Sequence, residues 1–175
     1  EEFTFTNVRR AVNGIARWVK SERPQGARVI VGRDPRFLGE TFCSIAADIL
    51  ASYGITPMVI AEAAPTPAIS YAVIHEKADG AINFTASHNP PEYNGIKFST
   101  PDGAPALPEV TRQIEAQIAA EGSATNGNKA TPQSLDVKPT YLARLREIVD
   151  LPAIKKAGLR VAFDPLWGAA RGYSD

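Results

Sequence analysis

The sequence predicts an α/β fold, a three-layer α/β/α sandwich around a small mixed, mainly parallel sheet, and three observations carry that expectation. Short apolar runs rich in β-branched residues, Arg28-Val29-Ile30-Val31-Gly32 foremost, have apolar side chains on both faces, as strands buried between helices do. Amphipathic helical patterns alternate with those runs, and parallel neighbours need crossover helices. The 175 residues, 44% of them apolar, are enough for one compact core.

Taken in order, Thr6 is the expected cap of a helix running to about Glu22, with Val8, Val12, Ile15 and Val19 on one face, ending at Pro24-Gln25-Gly26. After the first strand, Phe42, Ile45, Ala46, Ile49, Leu50 and Tyr53 mark a second helix that Gly54 stops. A strand from Thr56 to Ala61 leads to Thr66-Pro67, where Thr66 is the expected cap and Pro67 occupies the first helical position. Ile69, Ala72 and Val73 face inward from this third helix, and the strand Gly80 to Phe84 follows. Beyond a polar loop and an expected Asn94-Gly95 turn, Ile96-Lys97-Phe98 reads as strand again. Leu107, Val110, Ile114 and Ile118 then mark a helix, and the stretch from Gly122 to Ser134 has no period and reads as a surface loop. A last helical pattern uses Tyr141, Leu142, Leu145, Ile148 and Val149. Past Leu151-Pro152, Leu159 to Phe163 is expected to be a strand opening a new unit, so residues 1–157 form one domain and 158–175 the truncated start of another. Unpaired, that strand offers a route to self-association. The chain starts without methionine and stops soon after this strand, which reads as a fragment of a longer protein.

Composition narrows the function. With 19 basic and 19 acidic residues there is no net field to attract nucleic acid or an anionic membrane. Small-molecule or protein partners fit better. Cys43 is the only cysteine, so no internal disulfide or thiolate cage can form, which suits the cytoplasm; the residue reads as a buried filler. No apolar run reaches the roughly 20 residues a bilayer span needs.

The chemistry concentrates in Thr85-Ala86-Ser87-His88-Asn89-Pro90-Pro91-Glu92-Tyr93-Asn94-Gly95-Ile96-Lys97, a loop stiffened by two prolines between two strands. Ser87 has three readings. It is a loop serine bonding its own backbone, a hydrolytic nucleophile, or a carrier of a phosphoryl group. Hydrolysis lacks a Gly-x-Ser-x-Gly elbow and a separately placed base, since His88 is the adjacent residue. Phosphoryl transfer needs cations or amide donors around a rigidly held group. Lys97 alternates with Ile96 and Phe98 and should leave its strand on the polar face, either as a solvated lysine or as the nearby cation. His88 is a loop hydrogen-bonder or a phosphate contact. Gly32-Arg33-Asp34-Pro35-Arg36 lacks the P-loop pattern and reads as a salt-bridged loop bracing the top of the sheet.

The serine loop closely resembles the active-site loop of the α-D-phosphohexomutases, the phosphoglucomutase and phosphomannomutase superfamily. Val31-Gly32-Arg33-Asp34-Pro35-Arg36 with Gly39, Ala64-Pro65-Thr66-Pro67, and Val161-Ala162-Phe163-Asp164-Pro165-Leu166-Trp167-Gly168 also resemble that family's blocks, in its order. The resemblance implies the first domain of a four-domain enzyme in which Ser87 carries the phosphoryl group and the bisphosphorylated sugar, glucose 1,6-bisphosphate, is intermediate and activator. It implies proton transfer at the sugar hydroxyl for Lys97 and a place beside the phosphate for His88. It implies Mg²⁺ held by the Ser87 phosphate together with aspartates of a second domain, and a hexose phosphate as substrate. Pro90-Pro91-Glu92-Tyr93-Asn94-Gly95 resembles the glucose and mannose types more than the glucosamine type. The metal, sugar and distal phosphate loops of the family have no counterpart in this chain, so the chain alone is expected to be inactive. The rival reading is a non-catalytic, phosphate-responsive binding module of the same descent.

Overall fold

A computed structural model of the chain describes residues 3–120, 127 and 129–174. Eleven elements follow in order: α1 (Phe5–Glu22), β1 (Arg28–Arg33), α2 (Gly39–Ser52), β2 (Thr56–Ile60), α3 (Thr66–His75), β3 (Ala81–Phe84), β4 (Ile96–Ser99), α4 (Pro108–Ala119), β5 (Gln133–Leu135), α5 (Lys138–Ile148) and α6 (Leu151–Lys156). The five strands form one sheet in the order β4-β3-β1-β2-β5. All pairings are parallel except β3 with β4, whose two strands are joined by the serine loop.

Both faces of the sheet are covered. Val29, Val31, Ile82 and Phe84 pack into a core with α1 and α2, which Ile114 of α4 completes. On the other face Ile30, Met58, Ile60 and Ala81 pack against Ala68, Ile69, Ala72 and Val73 of α3, with Tyr141 of α5 alongside. This is the predicted three-layer arrangement, and it follows from strands apolar on both sides. Cys43 is buried in the first core, and burial pushes its thiol up to about 12. It is a filler. Among the described residues no helix is long and apolar enough to cross a membrane.

Several expectations need correction. The cap of α1 is Thr4, whose hydroxyl accepts from the Asn7 N–H at 3.2 Å, while Thr6 lies inside the helix. Thr66 is likewise the first residue of α3, with Pro65 as the cap residue, and its hydroxyl accepts from Asn83 Nδ2 across the layer. Asn94-Gly95 is not the turn of the serine loop; that turn is Pro90–Tyr93, closed by the Tyr93 N–H on the Pro90 carbonyl. Gly95 is required for another reason, since a Cβ there would lie 2.8 Å from the Thr85 carbonyl oxygen. Residues 122–126 and 128 of the loop expected from Gly122 to Ser134 lie outside the described residues, and its end is strand β5, parallel to β2. Leu159 to Phe163 forms no strand. Its residues are exposed, Leu159 at 69% and Val161 at 78%, beyond a helix α6 that the sequence reading did not foresee. A strand exists by pairing, and no described strand lies beside this one.

Candidate active site

Ser87 lies just beyond the carboxyl end of β3, a buried strand next to the centre of the sheet. It is exposed, and so is His88. The turn Ala86 to Asn89, closed by the Asn89 N–H on the Ala86 carbonyl at 3.1 Å, places Ser87 at φ +58°. Positive φ at this position of a turn ordinarily selects glycine. A serine held there reflects a surrounding structure that over-determines the backbone.

That structure is the segment following β1. Arg36 uses every N–H of its guanidinium. Nε donates to Asp34 Oδ2 at 3.0 Å, Nη1 to the carbonyls of Pro90 and Tyr93 at 2.7 and 2.9 Å, and Nη2 to those of Ser87 and Asn89 at 2.9 and 2.8 Å. One planar fork therefore ties together four carbonyls of the serine loop. Asp34 completes the brace, since Oδ2 also accepts from the Thr85 hydroxyl at 2.6 Å, and Thr85 Oγ1 in turn accepts the Ser87 N–H at 3.0 Å. The Asp34 N–H bonds the Phe84 carbonyl, which continues the β1–β3 ladder into the site. The Arg36 side chain is 11% exposed, and its bond to Asp34 is partly buried while its bonds to the loop carbonyls lie at the surface.

Lys97 lies on β4 directly opposite Asn83 of β3. It is exposed while Phe98 is buried, as the alternation predicts. Antiparallel pairing brings Lys97, Ser87 and His88 to one end of the sheet. The expected brace was right in kind and incomplete in target: Arg33 pairs with Glu40 at 2.7 Å, not with Asp34, and Arg36 holds the serine loop as well as Asp34. Sequence reasoning missed Thr85, which joins Asp34 to the Ser87 N–H, and Asn83, which lies opposite Lys97. The only signal for the first was a hydroxyl two residues before the serine.

Fold and site together define an α/β/α domain that presents a rigidly held serine at the carboxyl edge of its sheet. Residues 1–125 match the family described as phosphoglucomutase/phosphomannomutase, alpha/beta/alpha domain I, and the chain belongs to that family, within the α-D-phosphohexomutase superfamily. The chain is 36% identical over 153 residues to a phosphoglucomutase/phosphomannomutase of Thermococcus kodakarensis, covering 86% of this chain and 33% of the relative. It is 36% identical over 165 residues to a phosphoglucosamine mutase of an Arthrobacter species, covering 93% and 35%. A solved structure assigned as a phosphomannomutase of Thermus thermophilus superposes with a TM-score of 0.81 at 36% identity, over 88% of this chain and 34% of that one. The chain thus spans about a third of the length of these relatives.

Proposed function

We propose that this chain is the first domain of a phosphohexomutase, which moves a phosphoryl group between the 1- and 6-positions of a hexose phosphate. The observation that carries the reading is the clamped loop. Five guanidinium bonds and the Thr85–Asp34 link hold an exposed serine in a conformation serine does not favour, and such positioning is what in-line phosphoryl transfer demands of a protein.

In this reading the resting form carries the phosphoryl group on Ser87 Oγ. A hexose phosphate hydroxyl attacks that phosphorus and gives its proton to Lys97 in its uncharged amine form, the P–O bond to Ser87 breaks, and the departing Ser87 Oγ takes up that proton from Lys97. The product is a hexose bisphosphate. After it turns over, Ser87 Oγ attacks the phosphoryl group at the other end, and the proton returns to the departing sugar oxygen. His88 contacts the phosphoryl group from the same turn. Magnesium, when bound, would offset charge on the transferring group. Ser87 would be its ligand from this chain, but among the described residues there is no cluster of three or more metal-ligating side chains. Asp34 is already engaged by Arg36 and Thr85. The described residues do not make a cation site on their own, and the second-domain aspartates belong to the proposal.

The full-length protein should interconvert the 1- and 6-phosphates of glucose or mannose, and the 175-residue chain alone should not. A coupled assay with glucose, mannose and glucosamine phosphates tests this. Preference for glucosamine phosphate would move the assignment to the phosphoglucosamine type, and turnover by the chain alone would refute its dependence on further domains.

A further inference from the structure

Asn83 is the one polar side chain that the packing of β3 leaves incomplete. It is 3% exposed. Its Nδ2 donates to Thr66 Oγ1 at the start of α3, at 3.1 Å, whereas its Oδ1 is buried and has no hydrogen-bond partner among the described residues. An unmet buried acceptor is costly, and in a native fold it calls for an explanation.

The sheet register limits what can reach it. Gly32 of β1, Asn83 of β3 and Lys97 of β4 form one row across three strands. Residues opposed in a ladder point to the same face. On the Gly32 side that face is closed by Ile69 and Ile60, whose methyl groups would meet any Cβ placed there. On the other side stands Lys97. Its Cβ lies roughly 5 Å from that of Asn83 in such a pair, a gap that a four-carbon stem can span. Of the two neighbours of Asn83 in the row, only Lys97 carries a side-chain donor.

We propose that Asn83 is a positioning residue, whose Oδ1 accepts a hydrogen bond from the Lys97 ammonium and so fixes where that group sits beside the serine loop. A rotamer change of Lys97 makes the bond and satisfies the buried carbonyl. What Lys97 then does rests on the mutase reading above; the Asn83–Lys97 contact does not.

Two measurements separate those claims. Limited acylation of the 175-residue chain with a succinimidyl ester, followed by peptide mass spectrometry, reads the accessibility and nucleophilicity of each lysine. Asn83→Leu should raise the Lys97 rate on the order of ten-fold, and the nearly isosteric Asn83→Asp should lower it, with Lys77 and Lys155 unchanged. An unchanged Lys97 rate in both variants, or in Asn83→Asp alone should the leucine variant not fold, overturns the proposal whatever the protein catalyses. In the full-length mutase, Asn83→Leu should lower kcat about ten-fold with KM unaltered, and it should have no further effect once Lys97→Met is present. Additive losses would mean that Asn83 acts through the fold alone. Absence of any Ser87 phosphorylation would instead sink the mutase reading and leave the acylation result to decide on Asn83.

Discussion

Ser87 at φ +58° and Arg36 with all its donors in use are two halves of one arrangement. The left-handed conformation costs an L-residue roughly 1–2 kcal/mol, and the guanidinium fork holds the loop in it. Two substitutions separate the halves. Ser87→Gly relieves the strain and should be more stable than Ser87→Ala by about 1 kcal/mol in urea unfolding, after allowance for glycine's greater flexibility when unfolded. Equal stability would show that the backbone is not strained there. Arg36→Lys keeps the charge and loses the fork. It should cost roughly 1–2 kcal/mol and speed amide hydrogen exchange across Ser87 to Tyr93, while exchange in β1 and β2 stays slow. Ser87, His88 and Lys97 stood out in the sequence because hydroxyl, imidazole and ammonium fall close together, on a stiff loop and the strand that follows it. The clamp was not, because Arg36 reaches it across more than 50 positions of sequence, and nothing local in Gly32-Arg33-Asp34-Pro35-Arg36 says which carbonyls it will meet.

At the scale of elements, periodicity located every strand long enough to have a pattern. β5 escaped because Gln133-Ser134-Leu135 is three residues without β-branching, made a strand only by pairing with β2. The opposite error at Leu159 to Phe163 has the same cause: the alternation is there and no partner strand lies among the described residues. Helix packing was legible only in outline. α1 meets α4 closely at Gly14, where an added Cβ would lie 2.3 Å from Ile118 Cγ1 and 3.1 Å from the Ile118 N. Trp18 donates to Gln113 Oε1 at 2.8 Å in the same joint, and Arg17 reaches the Gln117 carbonyl. Gly14→Ala should therefore destabilise by roughly 1–3 kcal/mol through overpacking, outweighing the better helix propensity of alanine. Thermal unfolding checks the sign, and a stabilised variant would show that α4 yields without cost.

Over the whole molecule, balanced charge leaves recognition to local groups, and in the proposed function His88 of the serine loop and Lys97 of β4 would meet the anionic substrate. The opposite feature is the apolar stretch over residues 159–167, where Leu159, Val161, Leu166 and Trp167 are all exposed. Such a patch should drive concentration-dependent association of the 175-residue chain in light scattering, and a strict monomer at millimolar concentration would show that these residues are not sticky in water. Family membership rests on the match over residues 1–125 and on the α/β/α fold. The proposed chemistry rests on Ser87. Its most direct test is intact-mass and peptide analysis of the full-length protein, wild type and Ser87→Ala, after incubation with glucose 1,6-bisphosphate. The account predicts one phosphoryl group, placed on Ser87, discharged by added hexose phosphate and absent from the variant. An unmodified Ser87, or equal phosphorylation of the Ser87→Ala protein, would contradict it.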